Sequence, residues 1–310
     1  MDSLGLTHVH LDKLVNARLW LSQLPGKYGR QLPGGAGGQH LTRLHGQSTE
    51  FDQVRDYQHG DDARHIDWRA SARAGGIQTR LFQRERDRPV FIAVEQGPDM
   101  FFASTGNFKS VQAALAASLF AWAADSVHDR VGGLVFGRET VRLTLPARNR
   151  QGILHLLHNV SQENLQLDSP FPADGIPPLQ QALEHCRIQL QPGAVLVLIC
   201  SESHLDSDSA KQLGTLASRH QSIWLPVSDP LEHQLPEQPG LAFSGQQQRL
   251  QLSRQQLRLR HQWQQQARAT RQRWQQLAGQ HGAILLPVCT SSSLADQLPV
   301  LQEGLHAACA

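Results

Sequence analysis

A chain of 310 residues with 40% hydrophobic content carries enough apolar mass for a substantial buried core, in one large domain or two unequal ones. Its 29 Lys and Arg against 27 Asp and Glu leave a net charge of +2, which excludes a global field pulling it onto nucleic acid or an anionic membrane. No window approaches the roughly 20 apolar residues that span a bilayer, the opening MDSLGLTHVHLDKLV lacks a leader pattern, and Cys186, Cys200, Cys289 and Cys309 are scattered, so a cytoplasmic protein with no disulfide framework or zinc knuckle is expected.

Residues 1–88 read as an N-terminal arm of irregular and β structure. The stretch LPGGAGGQHLTRLHGQS is too rich in Gly for a helix and predicts turns. From Glu50 to Arg88 arginines and carboxylates are equal in number, which favours internal pairing over phosphate binding. Within it, DYQHGDDARHIDWRASAR sets Asp56, Asp61, Asp62 and Asp67 among Arg64, Arg69 and Arg73. Guanidinium forks match carboxylates at two points, so such a lattice can fix a segment too poor in apolar residues to pack by itself. Gly60-Asp61-Asp62 predicts a turn into a short helix, with Ile66 and Trp68 as anchors into the body. The catalytic alternative makes Asp61, Asp62 and Asp67 metal ligands or acid/base groups. Neighbouring arginines weigh against it, because they hold the carboxylates ionised and occupy their lone pairs.

From residue 90 the pattern changes to short apolar runs alternating with helical periodicity, the mark of a parallel α/β sheet. VFIAV, AVLVLIC and AILLPV are continuous apolar runs, as in strands covered on both faces. VGGLVFG and TVRLTLP flank Gly137-Arg138-Glu139 and predict a hairpin that adds one antiparallel edge strand. Asn107 followed by Val111, Leu115, Ser118, Leu119 and Trp122 predicts a helix near 108–125. A second long helix is expected from a Ser253/Gln256 capping box through Leu257, Trp263, Ala267, Thr270, Trp274 and Leu277 to Gly279. Its Gln and Arg residues read as a solvated face rather than an RNA-binding tract, since aromatics do not interleave with the basic residues.

The run of Arg55, Tyr57, Gly60, Asp61, Arg64, Ile66, Asp67, Trp68 and Arg73, at these offsets, resembles the signature of the bacterial family called domain of unknown function 58. VSDPLEHQLPEQPG, at 227–240, is similar to that family's Asp-Pro…Glu…Leu-Pro…Gly segment. The resemblance implies a von Willebrand factor A-like domain, here residues 89–310: a doubly wound, mostly parallel sheet with one antiparallel edge strand. Many members also carry two N-terminal membrane helices, which this sequence does not show. Family genes commonly lie beside those for MoxR-type AAA+ ATPases, which implies such an ATPase as partner.

The A-like fold often holds Mg²⁺ beyond the strand ends through an Asp-x-Ser-x-Ser after the first strand. That place here reads Glu95-Gln96-Gly97-Pro98-Asp99, with both hydroxyls gone. A further carboxylate is expected after AVLVLIC as Glu202, and the usual loop Thr is not evident in PADGIPPL. Two readings follow: Glu95, Asp99 and Glu202 gather a cation as an all-carboxylate set, or the metal site has degenerated and the rim binds protein without metal. The second is favoured, because Mg²⁺ demands near-ideal octahedral geometry that longer Glu arms disturb. The functional expectation is a non-enzymatic scaffold or adaptor without a cofactor, with Phe101 and Phe102 as interface candidates. The alternative is a metal-dependent, phosphodiesterase-like hydrolase. Phosphate-loop, zincin and nucleophile-elbow motifs are absent from the sequence, and His155 and His158 lack a third ligand.

Overall fold

The structure, a computed structural model, describes residues 6–21, 50–58, 63–83, 89–126, 128–137, 141–168, 178–236, 242–244, 249–251 and 257–309. Two compact units emerge: Met1–Gly37 together with Arg88–Ala310, and Gly38–Asp87. The expected division placed residues 1–88 in one arm. Residues 6–21 instead build into the larger unit, and the physical reason is visible in helices α1 (Leu11–Asn16) and α2 (Arg18–Leu21). Val9, Leu14 and Ala17 are buried in the main core. The carbonyl of Leu14 accepts hydrogen bonds from Ser118 Oγ at 2.5 Å and Trp122 Nε1 at 3.2 Å. Asn164 Oδ1 accepts from Val9 N at 2.7 Å.

The smaller unit is a hairpin with a helix in its connection. Strand β1 (Glu50–Asp56) pairs antiparallel with β2 (Gln78–Gln83), and α3 (Trp68–Ala74) lies between them in the chain. Asp67 starts α3 by accepting from the N–H groups of Arg69 and Ala70, and Gly75, at φ 71°, ends it. Ser71 Oγ donates to the Asp67 carbonyl and accepts from Gln78 N, which ties the helix to β2.

The larger unit follows the predicted α/β alternation. In chain order it contains β3 (Val90–Glu95), α4 (Lys109–Ser126), β4 (Val131–Phe136), β5 (Arg142–Ala147), α5 (Arg150–Leu165), α6 (Pro178–Gln189), β6 (Val195–Ser201), α7 (Ser207–Ala217), β7 (Gln221–Ser228) and α8 (Pro230–His233). A short β8–β9 pair (Ala242–Ser244, Arg249–Gln251) precedes α9 (Leu257–His281), β10 (Ile284–Leu285), β11 (Val288–Cys289) and α10 (Leu294–Cys309). The seven-stranded sheet runs β10-β7-β6-β3-β4-β5, with β11 also on β7. Every pairing is parallel except β4–β5, which gives the expected antiparallel edge.

Strand alternation sorts the core into two layers. From β3, Ile92 and Val94 join one cluster with α1, α4, α5 and α10, while Phe91 and Ala93 join the other with α6, α7 and α9. Helix α4 is buried on all sides from Lys109 to Ala124, so its sequence shows more than the single stripe that was read there. Helix α9 runs past Gly279 to His281, and the following Gly282, at φ 66°, ends it. Only the C-terminal part of its predicted stripe reaches the core: Trp274 is buried against Trp224, whereas Trp263 is 39% exposed. Ser253 and Gln256 lie outside the described residues.

Candidate functional site

The parallel strands β3, β6 and β7 deliver their C-terminal ends side by side, and the polar residues of the body gather there. Glu95 closes β3 and is fully buried. Its Oε2 accepts from the N–H of Ser201, the last residue of β6, at 2.9 Å. Its Oε1 stands 3.0 Å from Nδ1 of His204, an ion pair misaligned for a hydrogen bond. The other ring nitrogen of His204 is 2.5 Å from Asp99 Oδ2. Burial works against a charged imidazole, but the charge of Glu95 beside it and the hydrogen bond with Asp99 outweigh it, so the His204 pKa is pushed up to about 10. The hydrogen bond from His204 in turn holds the Asp99 carboxyl below its ordinary value, against a smaller effect of burial.

A second internal cation lies alongside. Lys109, the first residue of α4, is 1% exposed; its Nζ donates to Ser201 Oγ at 3.1 Å and to Glu232 Oε1 at 2.5 Å. Ser201 Oγ also shares a hydrogen bond with Ser203 Oγ at 2.9 Å. Glu232 belongs to a capping box on α8: its Oε2 accepts from Asp229 N, and Asp229 Oδ1 accepts from Leu231 N. The remaining Asp229 oxygen accepts from Ser104 N at 2.7 Å and Thr290 Oγ1 at 2.5 Å. The family-like segment starting at Val227 thus serves to carry a cap and a counter-ion for Lys109.

Of the three carboxylates read as metal ligands, Glu95 and Asp99 meet on His204 and Glu202 turns elsewhere. Glu202 Oε2 is 2.6 Å from His233 Nε2, its Oε1 is 3.6 Å from Arg271 Nε, and its carbonyl accepts from Trp274 Nε1. Among the described residues, His, Cys, Asp and Glu form no group of three or more able to hold a metal ion. The donor set does not suit Mg²⁺: the side chain that joins Glu95 and Asp99 is the His204 imidazole, a nitrogen donor where Mg²⁺ takes oxygens.

Phe101 is half-buried, edge-on to Phe108 at 4.9 Å and tilted against His8 at 5.2 Å. Phe102 is half-buried on the same turn, and its carbonyl accepts from Lys109 N. His155 and His158 are exposed on α5. Burial pushes the Cys186 thiol up to about 12 and raises Cys200 as well, so neither is a nucleophile.

Of the signature residues, Asp67 caps α3, Ile66 is half-buried and bridges to Thr79, and Tyr57 N donates to the Ile77 carbonyl. Arg55 stands opposite Thr79 in the hairpin, and Arg64 and Arg73 are exposed. Trp68 opens α3 and is 71% exposed. Gly60, Asp61 and Asp62 lie outside the described residues.

Sequence reasoning missed Lys109, His204, Glu232 and His233. One signal was available: Lys109 is the lone charge in KSVQAALAASLFAWA, a run of almost entirely apolar or small residues.

Residues 53–273 match the model of the family described as protein of unknown function DUF58. The chain belongs to this family. As a DUF58 protein it is similar, at 24% identity over 208 residues, to uncharacterized proteins of Mycobacterium tuberculosis and Mycobacterium bovis. The match takes in 67% of this chain and 64% of each of theirs, so the DUF58 chain spans about 64% of the length of the curated relatives it matches. Among solved structures it is similar to the conserved hypothetical protein BatB from Bacteroides thetaiotaomicron, at 14% identity and a TM-score of 0.40 over 72% of this chain and 98% of that one.

Proposed function

We propose that this DUF58 protein is a non-enzymatic scaffold or adaptor, built on a von Willebrand factor A-like body, whose strand-end rim binds a protein without a metal ion. One observation carries the reading: the ammonium of Lys109 and the imidazolium of His204 lie among Glu95, Asp99 and Glu232 at the strand ends, where this fold would otherwise place a cation. Internal cations balance those carboxylates, so the rim keeps its shape in the absence of metal. The partner proposed is a MoxR-type AAA+ ATPase, acting with this protein in the cytoplasm in protein assembly or remodelling. Phe102, with Phe101 beside it, is the proposed apolar contact.

The test is association with a purified MoxR-type ATPase, followed by size exclusion with nucleotide present. Binding is expected to survive EDTA and to weaken in Phe102→Ala without a change in melting temperature. No association removes the ATPase as client. Calorimetric titration with Mg²⁺ or Mn²⁺ is expected to give no binding tighter than about millimolar, because the site lacks the oxygen set these ions need. A second reading, a metal-dependent hydrolase acting on phosphodiesters, draws on one fact: Glu95 Oε1 is buried with no hydrogen-bond partner. A binding heat that disappears in Glu95→Ala would favour it.

A further inference from the structure

Helix α9 is the most unevenly charged element of the body. Its 25 residues, LRLRHQWQQQARATRQRWQQLAGQH, hold five arginines and no carboxylate. Subtracting those five from the chain's +2 leaves the rest of the protein at −3. The excess of positive charge is therefore local to one helix.

Helix stability does not account for this placement. The N-terminal turn of a helix favours Asp or Glu, because the first N–H groups carry partial positive charge. Here the first turn has no acidic residue and contains Arg258 and Arg260. Packing does not account for it either. Burial is confined to Trp274 and Ala278 with partial cover of the residues on their stripe, whereas Arg258, Arg268 and Arg273 are exposed. Arg271 has an acidic neighbour in Glu202, but Arg258, Arg268 and Arg273 form no ion pair among the described residues.

With about 100° per residue, Arg258, Gln262, Gln265, Arg268, Gln272, Arg273 and Gln276 fall on the side away from Trp274. Arg258 and Arg268 are about 15 Å apart along the axis and Arg268 and Arg273 about 7.5 Å, from the rise per residue. Glutamine amides fill the intervals. Trp263, 39% exposed, adds a flat aromatic edge to the helix and donates its own N–H to the Leu231 carbonyl.

We propose that the outer face of α9 is a docking surface for an acidic segment of a partner protein, with Arg258, Arg268 and Arg273 pairing to discrete carboxylates and the glutamines bonding between them. A nucleic acid is the poorer fit. Three free arginines neutralise few phosphates, and the net −3 of the remaining chain repels a uniform polyanion. A protein segment presents its charges at intervals and does not carry that penalty along its whole length. This surface is separate from the strand-end rim, and its test does not involve the ATPase, so failure of either reading leaves the other standing.

The experiment is fluorescence anisotropy on the full chain at low ionic strength, with a labelled Glu-Ala repeat peptide and, in parallel, labelled single-stranded DNA. The peptide is expected to bind and to be released as salt rises. The variant R258Q/R268Q/R273Q keeps good helix formers at exposed positions; it should melt like wild type and bind the peptide at least about tenfold more weakly. The matched variant R258K/R268K/R273K should retain most of the binding. The proposal is overturned if wild type does not bind the peptide, if the glutamine variant binds it as tightly as wild type, or if the DNA binds more tightly than the peptide with the same arginine dependence.

Discussion

Lys109 places a charge where none of the surrounding side chains from α4 exposes any surface, and it is held there by two oxygens from elements far away in sequence. Removing one partner of a buried pair leaves the other charge uncompensated. Lys109→Met should therefore cost about 3 kcal/mol, the low end of the usual range because Glu232 is 28% exposed. Adding Glu232→Gln should recover part of that loss, and a denaturant series on both variants measures it. Equal midpoints for Lys109→Met and wild type would show that the ammonium does not hold the strand ends. His204 gives a second prediction, in pH. Its folded pKa of about 10 lies above the ordinary 6.5, so its contribution is present in full below about pH 6.5 and is lost as pH rises through about 10. Asp99 has the opposite sense: its lowered pKa stabilises above its ordinary 3.8 and the benefit is lost on acidification. The melting-temperature gap between wild type and His204→Gln should thus be wide near neutral pH and close toward pH 10. The pairings were illegible in the sequence because each joins segments about a hundred residues apart, and spacing rules see only neighbours on one element.

The strands were the most legible elements, since VFIAV and AVLVLIC admit only a doubly covered position, and β3 and β6 indeed lie in the middle of the sheet. Helix ends were less so. Gly279 was read as the stop of α9, yet the left-handed position that ends the helix is Gly282, and a Gly inside a helix costs only about 1 kcal/mol when the face around it is exposed. Asp67 illustrates the difference between composition and position. Its acid-rich surroundings suggest a paired carboxylate, and position adds a role that composition does not announce: its Oδ1 accepts from two N–H groups at the start of α3. Asp67→Ala should then cost at least about 1 kcal/mol, the usual size for an N-cap. A loss several times larger in thermal unfolding would show that the arginine lattice contributes beyond the cap. At the sheet end, Gly97 and Gly137 face each other so closely that a Cβ on Gly97 would lie 2.7 Å from the Gly137 carbonyl oxygen. Gly97→Ala should destabilise measurably, and because Gly97 precedes the turn that presents Asp99, it should also disturb the His204 titration, read by NMR of the imidazole.

On the scale of the whole chain, the body is assembled from pieces on either side of the smaller unit, Met1–Gly37 before it and Arg88–Ala310 after it. Sequence alone favoured a single boundary near residue 88, because the change from Gly-rich, charge-dense sequence to apolar runs is abrupt there, while LDKLVNARLWL is too short for its helical period to declare where it packs. The arrangement has a practical corollary for anyone trimming the protein. A fragment beginning at residue 89 would keep every strand of the large sheet but uncover the α4 surface that Leu14 fills, and would strand Asn164 Oδ1 and the hydroxyls of Ser118 and Ser161 without their acceptors or donors. Such a fragment should express poorly or self-associate, and a synthetic peptide covering residues 6–21 should bind it and raise its melting temperature, as a split protein is rescued by its missing half. Residues 6–21 would leave the ribosome well before α4 and α5, and would have to wait for both helices to be made before finding their place.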